Sequence, residues 1–169
     1  MILFLCTFIT GLTFAQNKYS TPVRTAPENH YLALQQLWAV HSAGIHFAKT
    51  HGTTPYEYGK YVGNLFAPSW DEARGYDGYV KGVIFNLETF RVPADGEMEI
   101  IENCDRLVSI KFPAVAFKKF FPEGRYFITF DEFCQAMNGM FEPLAGKMGA
   151  TTNVKNTGEW LIFEIRKKS

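Results

Sequence analysis

The chain has 169 residues, 47% of them hydrophobic and 20% charged, with 17 basic side chains against 17 acidic ones. That length suits one domain with a real core, and the composition excludes wholesale disorder. A zero formal charge, with the longest basic run at Arg166-Lys167-Lys168, lacks the basic face that displaces counterions from phosphates, so no nucleic-acid partner is expected.

Residues 1–15, "MILFLCTFITGLTFA", carry no charged side chain and precede the polar "QNKYSTPVRTAPEN". The run is short for a membrane span, which needs ~20 apolar residues, but suits the apolar region of a secretory signal. Thr13 and Ala15 are small enough to sit three and one positions before a cleavage site, although no basic segment precedes the apolar one. The expected organisation is a signal peptide at 1–15, a polar linker at 16–27 and a single domain at 28–169. The mature chain is then exported, periplasmic or extracellular, with no membrane span.

"PENHYLALQQLWAVHSAGIHFAKTHG" reads as a helix, with Tyr31, Leu34, Trp38, Ile45 and Ala48 at helical spacing and Gly52 placed to end it. In "TTPYEYGKYVGNLFAP", Thr54 with Glu57 matches a capping box, Pro55 suits the first helical position, and Pro68 closes the helix. Ser69 with Glu72 matches the box again, while Gly75 and Gly78 delay regular helix until about Asp77. From there Tyr79, Val80, Val83, Ile84, Leu87 and Phe90 trace one apolar stripe.

After "RVPADG" the period changes. "EMEIIEN" and "RLVSIKF" flank the turn-forming "NCD", which puts Cys104 at a hairpin tip, and "RYFITF" reads as a further short strand. Thr129 with Glu132 is a third box match, opening a helix from Phe130. "TTNV" and "EWLIFEIR" then flank "KNTG", where Gly158 supplies a positive φ. The last strand is apolar on both faces for most of its length, which suits a central position. The expected fold class is α+β: a helical N-terminal half, then a small antiparallel sheet with one helix packed on it.

Few residues are marked for chemistry. In "TFDEFCQAMNGMFEPLAGKMG", Phe130, Phe133, Cys134, Met137, Phe141, Leu144 and Met148 share one side, so the Cys134 thiol points inward. Helix N-terminal position lowers a thiol pKa, whereas burial and the neighbouring Asp131 and Glu132 oppose a thiolate, which favours core filling. Without the leader two cysteines remain, Cys104 and Cys134, and spacing leaves open whether they pair. His41, His46 and His51 recur in steps of five, about 140° apart on a helix, so no metal site is expected. His41 lies on the stripe of Leu34, Trp38 and Ile45, where a histidine either hydrogen-bonds in the core or lines a pocket. His46 and His51 read as solvated or cap-region residues. Pro143 removes one helical hydrogen bond and is expected to kink or restart its helix, a feature often found beside cavities. No cofactor motif is present, and the oligomeric state is not specified by the sequence.

The hairpin "MEIIENCDRLVSIKF", the helix step "FEP" and the strand pair turning at "TGEWLIFEI" together resemble the L-2-amino-thiazoline-4-carboxylic acid hydrolase-like family over about residues 97–167. Members often carry cysteines after the first hairpin and in the last strand, where this chain has "FPAV" and "WLIF". The resemblance implies a small-molecule pocket between helices and sheet, and ring-opening hydrolysis of a small cyclic amide or thiazoline-like substrate.

The leading expectation is an exported α+β domain that binds a small, partly apolar molecule through Trp38, His41 and Met137. One alternative is a hydrolase in which Cys134 is nucleophile or proton donor and His41 the base. Another is a non-catalytic interaction protein of the envelope.

Overall fold

A computed structural model describes residues 23–118 and 127–169. The expected signal peptide and most of the polar linker lie outside the described residues. Among the described residues, no helix is long and apolar enough to cross a membrane.

The first helix, α1 (Ala26–Thr50), starts inside the stretch that composition assigns to the linker. Its N-terminus is a capping box: the Glu28 carboxylate accepts from the Thr25 N–H at 2.7 Å, and the Glu28 N–H donates to the Thr25 hydroxyl at 3.4 Å. Pro27 therefore falls in the first turn, where its missing N–H has no helical partner to lose. α2 (Pro55–Phe66) opens on the expected Thr54–Glu57 box with Pro55 at the first position. The Ser69–Glu72 box does not form. The Ser69 hydroxyl instead donates back to the Phe66 carbonyl at 2.7 Å, and the Asp71 side chain accepts from the Ala73 N–H, capping a short 3-10 turn over Glu72–Arg74. α3 (Gly75–Phe90) follows directly, two residues earlier than expected, and buries Tyr76, Tyr79, Val83 and Leu87.

The first hairpin pairs β1 (Glu99–Cys104) with β2 (Leu107–Pro113), and Cys104 opposite Leu107 sits at its tip as expected. A four-residue helix, α4 (Val115–Lys118), precedes α5 (Phe130–Lys147). "RYFITF" was expected to be a strand, and its first two residues lie outside the described ones. The remainder is not strand: Phe127 has φ 58, and Thr129 caps α5 through the expected box with Glu132. α5 runs as one helix through Pro143 to Lys147. The chain ends in the hairpin of β3 (Ala150–Asn156) and β4 (Trp160–Lys167), with Gly158 at φ 94 in the turn.

The sheet is antiparallel with order β1-β2-β4-β3, so the last strand is central. Pairing of Val108 with Ile165, Ile110 with Phe163 and Phe112 with Leu161 sets one buried apolar face. The opposite face carries Ser109, Lys111, Asn153, Lys155, Ile162 and Glu164, with Lys155 and Glu164 paired at 2.7 Å. β1 is exposed along its whole length and is bulged between Ile100 and Glu102. A bulged, glutamate-bearing edge discourages pairing with another chain. The fold is α+β, with three helices preceding a small antiparallel sheet and α5, between its two hairpins, packed on it.

α5 lies against β3, and α3 also reaches the sheet: the Tyr76 hydroxyl donates to the Ile165 carbonyl at 3.2 Å, and Tyr79 bonds the Thr152 hydroxyl at 2.7 Å. The tightest helix contact is α2 on α5. A Cβ added at Gly59 would overlap the Ala136 carbonyl, one at Gly63 the Met140 carbonyl, and one at Gly139 the Tyr56 carbonyl. Bare glycine faces are what let the two backbones approach so closely.

Candidate functional site

The helices and sheet enclose a cavity of about 320 Å³ lined by α1, α2, α3, α4, α5 and β4. This is at the lower end of small-molecule pockets. α1 contributes four residues because Leu37, Trp38, Val40 and His41 fall on one side across a single turn. α2 contributes Tyr58, Val62 and Phe66 at spacings of four, a stripe next to the glycines that meet α5. The floor is buried, with Phe163 of β4, Leu87 of α3 and Phe117 of α4 almost fully enclosed. Leu37, Val40 and Phe66 are exposed and form an apolar rim.

The wall is aromatic. Trp38 meets Phe90 at 5.1 Å edge to face, Phe117 at 5.2 Å and Phe133 at 5.3 Å, all between ring centroids. Phe141 stands edge-on to Phe163 at 5.9 Å. Such geometry satisfies the ring quadrupoles and fixes the side chains that define the cavity's shape.

None of the lining residues is Asp, Glu, Lys or Arg, and the polar groups on the lining side chains are the His41 imidazole, the Tyr58 hydroxyl and the Trp38 indole N–H. The His41 ring lies 5.7 Å from that of Tyr58 and 5.7 Å, edge-on, from that of Phe133. Neither the His41 imidazole nor the Tyr58 hydroxyl is hydrogen-bonded to another described residue. Burial pushes the His41 pKa down to about 4, so its ring is neutral at physiological pH. Burial likewise raises the Tyr58 phenol. The Tyr58 hydroxyl sits over Gly44 of α1, where any Cβ would displace it.

Trp38, His41 and Met137, singled out from the sequence, therefore line one cavity. Cys134 does not line it. Its thiol is buried, and desolvation, reinforced by Asp131 against a smaller opposing effect of Lys118, pushes its pKa up to about 12. No hydrogen bond joins it to His41 among the described residues. Both Cys104, which is exposed, and Cys134 are free thiols. His51 caps α1, its Nδ1 lying 2.8 Å from the Phe47 carbonyl. His46 is half-buried: its ring lies tilted against Phe127 at 5.1 Å, and its buried Nδ1 has no partner among the described residues. Tyr58, Phe66, Phe90, Phe117 and Phe163 complete the cavity without having been marked by sequence. The one available signal was the four-residue spacing of Gly59 and Gly63, which implies a close partner for α2 and so directs its neighbouring stripe.

Larger depressions occur elsewhere. A cleft of about 860 Å³ runs past Trp70, Asp71, Arg74, Asp77 and Lys81, and another of about 540 Å³ past Tyr56, Glu142 and Lys168. Both are open troughs in which some of the charges pair with one another or with neighbours: Asp71 with Arg74 at 3.5 Å, and Glu142 with Lys60 at 2.9 Å and with the Tyr56 hydroxyl. The smaller cavity is the one lined mostly by aromatic and aliphatic side chains, several of them buried. Among the described residues no group of three or more His, Cys, Asp or Glu side chains is arranged to hold a metal ion.

No protein-family model matches the chain, and comparison with curated proteins and with solved structures likewise finds no match.

Proposed function

We propose that this chain is an exported protein that binds a small, largely apolar molecule in the cavity between α1, α2 and α5. The observation that carries this reading is an aromatic-walled space of about 320 Å³, without a charged lining side chain, that opens through an apolar rim. A core without a ligand role normally closes such a space, because an unfilled cavity destabilises in proportion to its volume. Export rests on the uncharged apolar leader before a polar spacer.

The hydrolase alternative needs Cys134, as nucleophile or proton donor, within reach of His41, and the nucleophile must also ionise. A thiol raised to about 12, outside the cavity lining, gives that chemistry no support, and binding is the function to pursue.

The test is fluorescence titration with N-phenylnaphthylamine, a neutral probe that brightens in dry apolar sites. Saturable enhancement is expected, weakened by Val62→Trp, which projects bulk from the α2 wall into the space. A melting curve on each variant separates lost binding from lost folding. Folded protein that leaves the probe dark would overturn the reading. Export is tested by N-terminal sequencing of protein recovered outside the cytoplasm.

A further inference from the structure

The polar part of the cavity specifies more than apolarity. We infer that the preferred ligand is uncharged and carries a single hydroxyl or carbonyl group, which His41 and Tyr58 bind together. This rests on the binding reading above and adds the class of ligand to it.

Three observations support it. First, the lining contains no carboxylate, ammonium or guanidinium group, from any of the six elements that build it. An ionised ligand group would therefore enter without a counter-charge, at a cost far exceeding that for a neutral one. Second, His41 and Tyr58 lie side by side and are both free to bond: neither the imidazole nor the phenol hydroxyl is hydrogen-bonded to another described residue, and their rings lie 5.7 Å apart. A neutral imidazole offers one donor and one acceptor, and a phenol offers both, so a lone hydroxyl or carbonyl can be satisfied from either side. Third, the phenol has a seat of its own. Its oxygen lies over Gly44 in the middle of α1, a position where alanine would favour the helix but would push the hydroxyl away. The neutral state of His41, whose pKa lies near 4, is consistent with this: the ring is not a standing cation waiting for a carboxylate.

The test is competition against N-phenylnaphthylamine at about pH 7 by four ligands sharing one ring system: naphthalene, naphthol, naphthoate and naphthylmethylammonium. Naphthol is expected to bind at least about tenfold more tightly than either ion, and several-fold more tightly than naphthalene. Tyr58→Phe and His41→Phe should each reduce the naphthol-over-naphthalene preference, and the double variant should abolish it while naphthalene still binds. Gly44→Ala should reduce the same preference without loss of melting temperature. Naphthoate binding as tightly as naphthol, or a preference unmoved by the variants, would overturn the inference and leave the binding reading standing. Failure of the probe and of all four ligands to bind folded protein would overturn both.

Discussion

Acidification should destabilise this protein through His41. The unfolded chain takes up a proton on that imidazole near its ordinary value of 6.5, whereas the folded protein, having buried the ring among Trp38, Phe133 and Tyr58, resists until about pH 4. Over that interval the unfolded state binds more protons than the folded one, so stability falls as pH falls. The interval corresponds to roughly 3 kcal/mol when fully traversed. That is a large share of the ~5–15 kcal/mol that holds a domain of this size together. Urea denaturation at steps between about pH 7 and pH 4 measures it, with His41→Leu as the reference. Carboxylates held low in the folded state, such as Glu57 bonded by the Thr54 backbone N–H and hydroxyl, also lose their contribution as pH drops through the acid range. They do so equally in both proteins and cancel in the difference. The wild type should lose on the order of 3 kcal/mol more than the variant. Parallel pH profiles for the two, or an imidazole resonance of His41 titrating near 6.5, would refute the reasoning.

Other perturbations report on the frame around the cavity. Gly139→Ala places a methyl group against the Tyr56 carbonyl and 2.8 Å from the Lys60 nitrogen, and should cost about 1–3 kcal/mol or more by urea denaturation as α2 is pushed off α5. Gly146→Ala, in the same helix but with its nearest neighbour at 3.7 Å, should raise stability by about 0.5–1 kcal/mol in the same assay. Tyr79→Phe removes the partner of the Thr152 hydroxyl and should lower stability by about 0.5–1.5 kcal/mol, read as a lowered melting temperature. In alkylation followed by mass spectrometry, exposed Cys104 should label in the native protein, and Cys134 only after unfolding.

The elements were legible where the signal is local. Thr54–Glu57 and Thr129–Glu132 form as boxes because the hydroxyl, the N–H and the carboxylate all lie within one turn. Thr25–Glu28 has the same form but was obscured by Pro27, whose composition suggests linker although its position in the first turn is permissive. Ser69–Glu72 fails for the opposite reason: the hydroxyl has a nearer acceptor in the Phe66 carbonyl, and Asp71 takes over the cap. The strand alternation of Leu161, Phe163 and Ile165 survives because one-residue slips would expose all three. The cavity was legible only on α1 and α5, where Trp38, His41 and Met137 share faces with core residues. Its other walls come from four further elements, and no short-range pattern says that Tyr58 and Phe163 meet, separated as they are by most of the domain.

What brings those walls together is the division of labour along α2. One stripe, Pro55, Gly59 and Gly63, is buried against α5 with no side chain in the way at its two glycines. The adjacent stripe, Tyr58, Val62 and Phe66, is then turned toward α1 and becomes cavity wall. Because the two stripes belong to one helix, the close approach at Gly59 and Gly63 sets how far Tyr58 and Phe66 stand from Met137 and Met140 of α5. The same dependence holds across the contact: Met140, whose carbonyl occupies the space a Cβ at Gly63 would need, contributes to the cavity lining. The dimensions of the cavity thus depend on backbone contact outside it as well as on the aromatic packing of its own lining. Most of that lining is core and serves the fold, but His41 and Tyr58 bring polar groups into it that bond to no other described residue, which a ligand explains better than the stability of the fold does.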